Sequence, residues 1–262
     1  MEEKQLDSGN WVSKKLVLGT GFSAAAAVAL SFLVFINIAA GIVFMVPALV
    51  LIIVFIYFLY ARYLFSPKGK DIQNRLYSLI LDYIDFTGKG TVLDIGCGDG
   101  SLIIKLADKY PEAEFTGIDL WEGMWGYSKE RCEGNVKSSG VNNSVSFIKA
   151  SASELPFEDE SFDLAVSNFV FHEVKDAKDK KEVIKEALRV VKKGGVFVFN
   201  DLFLLKSYYG DINSLLGEIK SWGIRDVEYI KTADLPFVPK ALKLPFMTGA
   251  MGIIKGEKQN KP

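Results

Sequence analysis

The stretch TVLDIGCGDG, residues 91–100, constrains the fold of this chain more than any other. An apolar run ends at Ile95, and glycines follow at alternate positions, 96, 98 and 100. An apolar run bounded by glycines is typical of a buried parallel strand that enters a tight turn. Glycine suits this turn because it adopts positive φ and lets a ligand approach the backbone closely. Residues 101–110 have apolar side chains at helical spacing and stop before Pro111, so we predict a strand, a glycine loop and a helix.

A carboxylate ends the next predicted strand, over residues 114–120. Asp119 lies 23 residues after Gly96, where a doubly wound fold places an acid that accepts hydrogen bonds from ribose hydroxyls. Hydrogen bonds to a charged group contribute roughly 1.5–3 kcal/mol each. The loop and this acid together predict a nucleoside site at one edge of a sheet.

Two classes of nucleoside ligand fit this edge. A dinucleotide loop usually reads G-x-G-x-x-G and holds a diphosphate at the helix N-terminus. Here the spacing is G-x-G-x-G, and the acids Asp94 and Asp99 accompany the glycines. Because like charges repel, two carboxylates disfavour a diphosphate and suit a cationic ligand. A nicotinamide-dependent oxidoreductase is the alternative that the loop spacing disfavours.

The same residues carry a family resemblance. DIGCGDG, residues 94–100, resembles the first motif of class I S-adenosylmethionine-dependent methyltransferases, and GIDL, residues 117–120, resembles the second. FDLAVSN at 162–168 and LRVVKKGGVFVFND at 188–201 resemble later motifs. The resemblance covers about residues 71–262. It implies an α/β fold with a doubly wound, mostly parallel sheet of seven strands, and S-adenosylmethionine as cofactor.

The resemblance also implies a set of cofactor-binding residues along the carboxyl ends of the strands. The set is Asp94, Gly96, Cys97, Gly98, Gly100, Asp119, Leu120, Ser151, Ala152 and Asn168. Ser151 stands where many members have an Asp on the adenine amino group, so this position keeps a hydrogen-bonding group without the charge. Trp121 and Met124 follow the ribose acid and are interpreted either as adenine contacts or as core. With two cysteines and one histidine, no zinc site is expected.

The single histidine of the chain, His172, is the candidate catalytic residue. It follows the fourth predicted strand, 162–168, at the ligand edge of the sheet. Methyl transfer from a sulfonium needs mainly positioning, and it needs a general base only if the acceptor must lose a proton. An ordinary imidazole pKa, about 6.5, would suit that base. Glu173 is the alternative base, and a purely structural histidine is the alternative role.

An uncharged run precedes this region of the chain. From Leu16 to Ala61 there is no Asp, Glu, Lys, Arg or His. Because one bilayer crossing takes about 20 residues, we predict two transmembrane helices at about 16–36 and 42–62, with a break near 37–41. A cleaved secretory signal, whose apolar core has only about 7–15 residues, and a buried helical hairpin are the alternatives.

Small residues and a proline refine the predicted hairpin. Gly21, Ala25 and Ala29 recur every four residues, so we expect them to let the first helix pack closely on the second. Pro47 is expected in the early part of the second helix, where a proline costs least.

The run divides the chain into four parts. They are a polar N-terminal tail, a membrane anchor, a linker and a methyltransferase-like domain, at residues 1–15, 16–65, 66–70 and 71–262. Lysines precede the anchor, and Lys and Arg follow it. Positive charge at both ends favours both ends in the cytoplasm. We therefore expect a multi-pass protein of the cell membrane with its N-terminus and catalytic domain in the cytoplasm.

The net charge and the apolar segments limit which kinds of partner are expected. A net charge of −1 over 262 residues gives no electrostatic reason to expect a nucleic-acid partner. The expected partners are the bilayer, through residues 16–65, and a small-molecule or membrane-borne methyl acceptor. Residues 235–247 are apolar and suit either a lipid-soluble acceptor or the packing of a final hairpin. A non-catalytic, membrane-tethered nucleoside-binding module is the second class of function that stays open.

Overall fold

The computed structural model describes residues 9–122 and 125–259. Within them the chain forms two compact units. One comprises Gly9–Asn74 with Glu122–Gly126, and the other comprises Arg75–Trp121 with residues 127–259. The first eight residues of the predicted tail, and Met124, lie outside the described residues.

The first unit is built on two long apolar helices. Helix α1 spans Lys14–Ser31 and continues as a 3-10 turn over Phe32–Phe35, and α2 spans Ile38–Phe65. The side chain of Asn37 accepts a hydrogen bond from the first turn of α2 at 3.1 Å. Because this cap satisfies a free backbone N–H group, α2 begins earlier than the predicted residue 42. Pro47 consequently lies inside α2 and not in its first turn.

Small residues of α1 pack against α2. A Cβ on Gly21 would lie 2.8 Å from a phenylalanine ring of α2, so the close approach expected at this glycine is confirmed. Ala24 and Ala27 are buried, whereas Ala25 and Ala29 are exposed. The predicted stripe was therefore wrong beyond Gly21, because the contact face follows helical spacings of three and not a strict repeat of four.

The second unit is an α/β domain with seven strands. They are β1 Lys89–Ile95, β2 Glu112–Asp119, β3 Val145–Lys149, β4 Phe162–Asn168, β5 Val191–Asp201, β6 Ile224–Ile230 and β7 Gly252–Lys258. The helices that follow the apolar pair along the chain are α3 Ile72–Asp82, α4 Ser101–Lys109, α5 Lys129–Ser139, α6 Lys180–Arg189, α7 Lys206–Tyr209 and α8 Ile212–Ser221.

The strand order is β3-β2-β1-β4-β5-β7-β6. The first five strands of this order are parallel, and β7 is antiparallel to both of its neighbours. The predicted seven-stranded, mostly parallel, doubly wound sheet is confirmed. The chain order reverses between β1 and β4, and in such sheets ligands bind in the crevice at the carboxyl ends of the strands on either side of the reversal.

The core of this unit lies between the sheet and the helices on its faces. Helix α6 buries Val183 and Ala187 in one cluster with Phe197 and Phe199 of β5. Strands covered on both faces read as nearly continuous apolar runs. Leu93 and Ile95 of β1 are accordingly fully buried, immediately before the glycine loop.

Two predicted elements have other bounds in the structure. The sequence over 121–140 favours a helix, and the structure has α5 over Lys129–Ser139, where the Ser128 side chain caps it by accepting a backbone hydrogen bond at 3.2 Å. The pair Gly194-Gly195 predicts a turn before the fifth strand, but both residues lie inside β5, which begins at Val191. The register of β5 against β4 shifts in this part of the strand, so the glycines form an irregularity and not a chain reversal.

Candidate functional site

The predicted site residues follow the carboxyl ends of parallel strands. Asp94 and the glycine loop belong to β1, Asp119 ends β2, Ser151 follows β3, Asn168 ends β4, and His172 follows β4. Because all five parallel strands run in one direction, these ends share one edge of the sheet, which we call the carboxyl edge.

The glycine loop needs glycine for its backbone conformation. Its three glycines have φ of +75°, +58° and +79° in chain order, a region that other residues adopt only with strain. The N–H groups of Gly96 and Cys97 donate to the carbonyl of Ile118 at 2.8 and 2.9 Å. The Gly98 N–H donates to Asp119 Oδ2 at 3.0 Å. The predicted loop and the predicted ribose acid are thus in direct contact.

Side chains of the protein itself lie against two of these glycines. A Cβ on Gly96 would be 2.2 Å from Val170 Cγ2, and one on Gly98 would be 3.4 Å from the Tyr127 ring. The expectation that a ligand makes the close approach is therefore wrong at Gly96, because the segment after β4 makes it. The same contact places that segment, two residues before His172, against the glycine loop.

Asp119 faces the loop and is half-buried. Its Oδ1 accepts a hydrogen bond from the Trp121 N–H at 2.6 Å, in addition to the bond from Gly98. Burial raises the pKa of Asp119, and the N–H groups of Trp121 and Gly98 oppose that rise. The Trp121 indole donates from Nε1 to the Gly98 carbonyl at 3.0 Å. Trp121 therefore stabilises the glycine loop by hydrogen bonds. This role differs from both predicted ones, an adenine contact and a core residue.

Asp94 is an enclosed acid at the glycine loop. It is 2% exposed, and its Oδ2 has no hydrogen-bond partner in the described part of the chain. Its pKa is raised well above the usual value, first by burial and then by the negative charges of Asp119 and Asp99. A cation at this point would pair with the free oxygen and relieve the repulsion among three acids. The donor set therefore fits a positively charged nucleoside such as S-adenosylmethionine.

Helix α5 also supports the glycine loop, through two side-chain hydrogen bonds. Cys132 Sγ donates to the Gly98 carbonyl at 2.9 Å, and Asn135 Nδ2 donates to the Asp99 carbonyl at 2.9 Å. Cys97 is buried against β2, where its Sγ would be 2.9 Å from a Cβ on Gly117. Burial, and next a hydrogen bond with Cys132, raise the pKa of the Cys97 thiol. Both thiols thus support the loop.

Ser151 is linked to a carboxylate that the sequence reading missed. Its Oγ shares a hydrogen bond with Ser153 Oγ at 2.8 Å, and Ser153 Oγ donates to Asp176 Oδ2 at 2.6 Å. The bonds from Ser153 and Ser151 lower the pKa of Asp176. A negative charge therefore reaches this position from a later loop. Beside it, Ala152 is buried, and Leu120 after β2 is exposed.

The end of β4 is fixed by its two neighbouring strands. Ser167 Oγ donates to the Ile95 carbonyl of β1 at 3.0 Å. Asn168 Oδ1 accepts from Asn200 Nδ2 of β5 at 2.8 Å, so the described contact of this predicted cofactor residue is with β5 and not with the glycine loop. Phe169 follows with φ of +60°. Strained residues of this kind cluster at functional sites.

His172 lies in a 3-10 turn, Phe171–Glu173, against the end of β5. Its Nδ1 is 2.7 Å from Asp201 Oδ1, and its Nε2 is 3.5 Å from Glu173 Oε1. Burial lowers the pKa of His172, but the charges of Asp201 and Glu173 outweigh burial and raise the pKa to about 10. The expected ordinary value was therefore wrong, and the imidazole carries a proton at neutral pH.

Asp201 is the second functional candidate that the sequence reading missed. It is 1% exposed and ends β5 directly beside His172. Its only sequence signal is its position at the carboxyl end of a strand, because ligands of such sheets bind at that end. Asp176 has no such signal, because it lies in a loop between elements.

Known proteins match this chain over part of its length. The family model described as "Methyltransferase domain" matches residues 93–199. The sterol 4-C-methyltransferase strm-1 of Caenorhabditis elegans is 30% identical over 149 residues, which are 55% of this chain and 41% of the relative. A demethylmenaquinone methyltransferase of Listeria welshimeri is 38% identical over 109 residues, 41% of this chain and 43% of the relative. The chain thus spans less than half the length of these relatives.

A solved structure shows the same fold. A putative sarcosine dimethylglycine methyltransferase from Galdieria sulphuraria superposes with a TM-score of 0.54 at 16% identity, covering 74% of this chain and 89% of that chain. The family match includes the glycine loop, Asp119 and His172, and it favours S-adenosylmethionine over a dinucleotide. Residues 93–199 therefore match a methyltransferase domain, the fold is that of class I methyltransferases, and S-adenosylmethionine is the methyl donor.

Proposed function

We propose that this protein is a membrane-anchored methyltransferase that transfers a methyl group to a small, lipid-soluble acceptor. The observation that carries the proposal is the enclosed acid at the glycine loop. Asp94, buried and with a free Oδ2 among the described residues, lies in a site whose charges favour a cation. Without a cationic ligand, the buried and unpaired carboxylate would only destabilise the fold.

The proposed cofactor contacts follow from the donor set. Asp119 would accept hydrogen bonds from the ribose hydroxyls, and Asp94 would pair with positive charge. Ser151, backed by Asp176, would receive the adenine amino group, and Leu120 and Ala152 would contact the base. When bound, S-adenosylmethionine supplies a methyl group on a sulfonium, which is an excellent leaving group.

His172 is the proposed proton acceptor for the methyl acceptor. Its Nδ1 is engaged by Asp201 at 2.7 Å, whereas Nε2 lies 3.5 Å from Glu173 Oε1, so proton exchange with an acceptor falls to Nε2, beside Glu173. Because the pKa of His172 is about 10, the neutral imidazole that acts as a base becomes more abundant as the pH rises toward that value. Turnover limited by this step therefore increases with pH between 7 and 10.

Exposed apolar side chains support a lipid-soluble acceptor. In the second unit, Leu120, Tyr208, Leu244 and Phe246 are large, apolar and exposed. Leu120 follows β2, Tyr208 follows β5, and the other two lie between β6 and β7. All four lie in segments that connect strands at the carboxyl edge. The names of the two curated relatives, a sterol and a demethylmenaquinone methyltransferase, agree with such an acceptor.

The two apolar helices support membrane anchoring. Each is long and apolar enough to cross a bilayer, and little of either is buried. Phe22, Phe35 and Ile36 are at least 80% exposed, whereas the apolar residues of a soluble core helix are covered by protein. We propose that α1 and α2 form a membrane hairpin, with both flanks in the cytoplasm because Lys14, Lys15 and Arg62 flank it.

The test uses the full chain in phospholipid nanodiscs with methyl-tritiated S-adenosylmethionine. Three acceptor pools are offered: a lipid extract of the expression host's membranes, its water-soluble metabolites and its total RNA. We expect label in the organic-soluble product, and less of it at limiting S-adenosylmethionine when Asp119→Ala replaces the wild type.

Each other outcome contradicts a stated part of the proposal. Label in the water-soluble pool contradicts the lipid-soluble acceptor, and label in RNA contradicts the expected absence of a nucleic-acid partner. Tight binding of S-adenosylmethionine with no label in any pool indicates the non-catalytic nucleoside-binding module instead.

A further inference from the structure

A buried carboxylate organises the chain around His172. Asp201 is 1% exposed, as are few acids in a folded protein. Its Oδ2 accepts hydrogen bonds from the N–H groups of Phe171 at 2.8 Å and His172 at 3.4 Å. Its Oδ1 accepts from the Leu202 N–H at 2.6 Å and lies 2.7 Å from His172 Nδ1. One side chain thus joins the segment after β4 to the end of β5.

These bonds determine which ring nitrogen faces an acceptor. A carboxylate that receives backbone N–H groups is itself only an acceptor, so His172 Nδ1 must donate to it. The neutral ring is then fixed in the tautomer whose Nε2 carries no proton and can accept one. Aromatic neighbours restrict the ring further: Phe169 meets it edge-on with centroids 5.8 Å apart, and Tyr208 stacks on it at 6.5 Å.

We infer that Asp201 is a positioning residue for methyl transfer, which orients the His172 ring and fixes its proton on Nδ1. This inference rests on the proposed function, in which His172 Nε2 takes the proton of the methyl acceptor. Asp201 acts through its contact with His172 Nδ1 and is assigned no contact with cofactor or acceptor. Its charge also sets the pH at which His172 loses its proton.

The titratable groups around the ring define that pH dependence. The charges of Asp201 and Glu173 favour the imidazolium form of His172. The pKa of Glu173 is lowered mainly by His172 and to a smaller extent by Lys175. The Tyr209 hydroxyl is buried near Asp201, and burial, followed by that charge, raises the pKa of Tyr209 well above its usual value. Asp201 is the charged partner closest to the ring, so we expect removal of its charge to change the pKa of His172 most.

The chain offers a direct spectroscopic test, because His172 is its single histidine. Full-length protein without a histidine tag, labelled with ¹³C,¹⁵N-histidine and held in nanodiscs, gives one imidazole signal. His172→Gln removes that signal and so verifies it. In the wild type we expect titration near pH 10, with the proton on Nδ1 once the ring is neutral. Asp201→Asn is expected to lower the midpoint by two pH units or more.

Turnover and binding separate this inference from the proposed function. The rising limb of kcat, measured with the membrane lipid extract, should move to lower pH in Asp201→Asn together with the NMR midpoint, and its plateau should fall tenfold or more. Asp226→Asn, an exposed acid of β6, is the matched control and should change neither. Calorimetric binding of S-adenosylhomocysteine shows whether each variant retains its fold.

The outcomes that overturn the inference are distinct. If Asp201→Asn loses turnover with an unchanged midpoint, Asp201 is merely structural. If it does not fold, the wild-type spectrum still decides, since a neutral ring protonated on Nε2 contradicts positioning by Asp201. A midpoint that falls while the kcat limb stays in place contradicts His172 as the base, and hence the proposed mechanism, without altering the contact to Asp201.

Discussion

Val170 lies against the backbone of Gly96, with Cγ2 2.2 Å from the position that a Cβ on this glycine would occupy. Gly96 also has φ of +75°. Two independent reasons therefore demand glycine here, and they can be separated by mutation. The positive φ costs any other residue about 1–2 kcal/mol, and overpacking costs about 1–3 kcal/mol.

We expect Gly96→Ala to reduce stability by roughly 2–5 kcal/mol, the sum of these two effects. Adding Val170→Ala should recover the overpacking part and leave the backbone strain. Thermal unfolding of the full chain in detergent measures both. Gly134→Ala in α5, where a Cβ would meet nothing within 4 Å, is the control and should be neutral or slightly stabilising. No recovery in the double variant would contradict the contact.

The second prediction concerns Asp119, whose carboxylate holds the loop through Gly98 and Trp121. Asp119→Ala removes the proposed ribose acceptor and leaves both N–H groups without it. Since hydrogen bonds to a charged group contribute about 1.5–3 kcal/mol, we expect the Kd for S-adenosylmethionine to rise roughly 10- to 100-fold. Isothermal calorimetry checks this. Asp108→Ala, on the exposed face of α4, should bind normally, and an unchanged Kd in Asp119→Ala would remove the ribose assignment.

Local patterns in the sequence predict most of this fold. The runs at 145–149, 162–168 and 224–230 each predict a strand, and the bounds of β3, β4 and β6 agree with them, because glycines and polar turns delimit each run. The glycine loop and Asp119 follow from one motif and its spacing. Such features are encoded by neighbouring residues, so periodicity and spacing reveal them.

The contacts that complete the site join segments far apart in the chain. Val170 meets Gly96, Asp201 meets His172, and Asp176 reaches Ser151 through Ser153. No periodicity records such pairs, since each depends on which loops the sheet order brings together. The raised pKa of His172 was missed for the same reason, because a sequence shows the histidine without its buried partner.

The third prediction follows from the charge around Asp94. Burial and the neighbouring acids raise its pKa well above the usual value, so Asp94 holds a proton more strongly than an exposed carboxyl does. A cationic ligand lowers that pKa, and binding then releases the proton. We therefore expect S-adenosylmethionine to release more protons than S-adenosylhomocysteine, which lacks the sulfonium charge, and to bind more tightly as the pH rises.

Calorimetry in buffers of different ionisation enthalpy measures this proton release. Asp94→Asn should abolish the difference between the two ligands, whereas Asp85→Asn, outside the site, should preserve it. Equal proton release by both ligands in the wild type would show that Asp94 does not respond to the sulfonium charge.

The fourth prediction concerns the orientation of the hairpin. Ile36, between α1 and α2, is 84% exposed, and the proposed topology places it on the outer side of the membrane. In whole cells, a membrane-impermeant maleimide should label Ile36→Cys, and it should label Ser221→Cys in α8 only after lysis. The wild type, whose two cysteines are buried, gives the background. Labelling of Ser221→Cys in intact cells would reverse the orientation.

The fifth prediction addresses the exposed apolar tip between β6 and β7. Phe246 is 60% exposed and Leu244 39%, and both strands meet the carboxyl edge at this point. If the tip enters the lipid surface, polar replacement removes part of an apolar burial of about 1.5–3 kcal/mol per side chain. The double variant Leu244→Ser/Phe246→Ser should then methylate a nanodisc-embedded acceptor roughly tenfold more slowly. With the acceptor in detergent micelles, the double variant should methylate at the wild-type rate, and it should bind S-adenosylmethionine with the wild-type Kd.

The control is Ile148→Ser, at a similarly exposed residue of β3. An equal loss of rate in this variant would show a general effect of apolar surface and not a specific entry point at the tip.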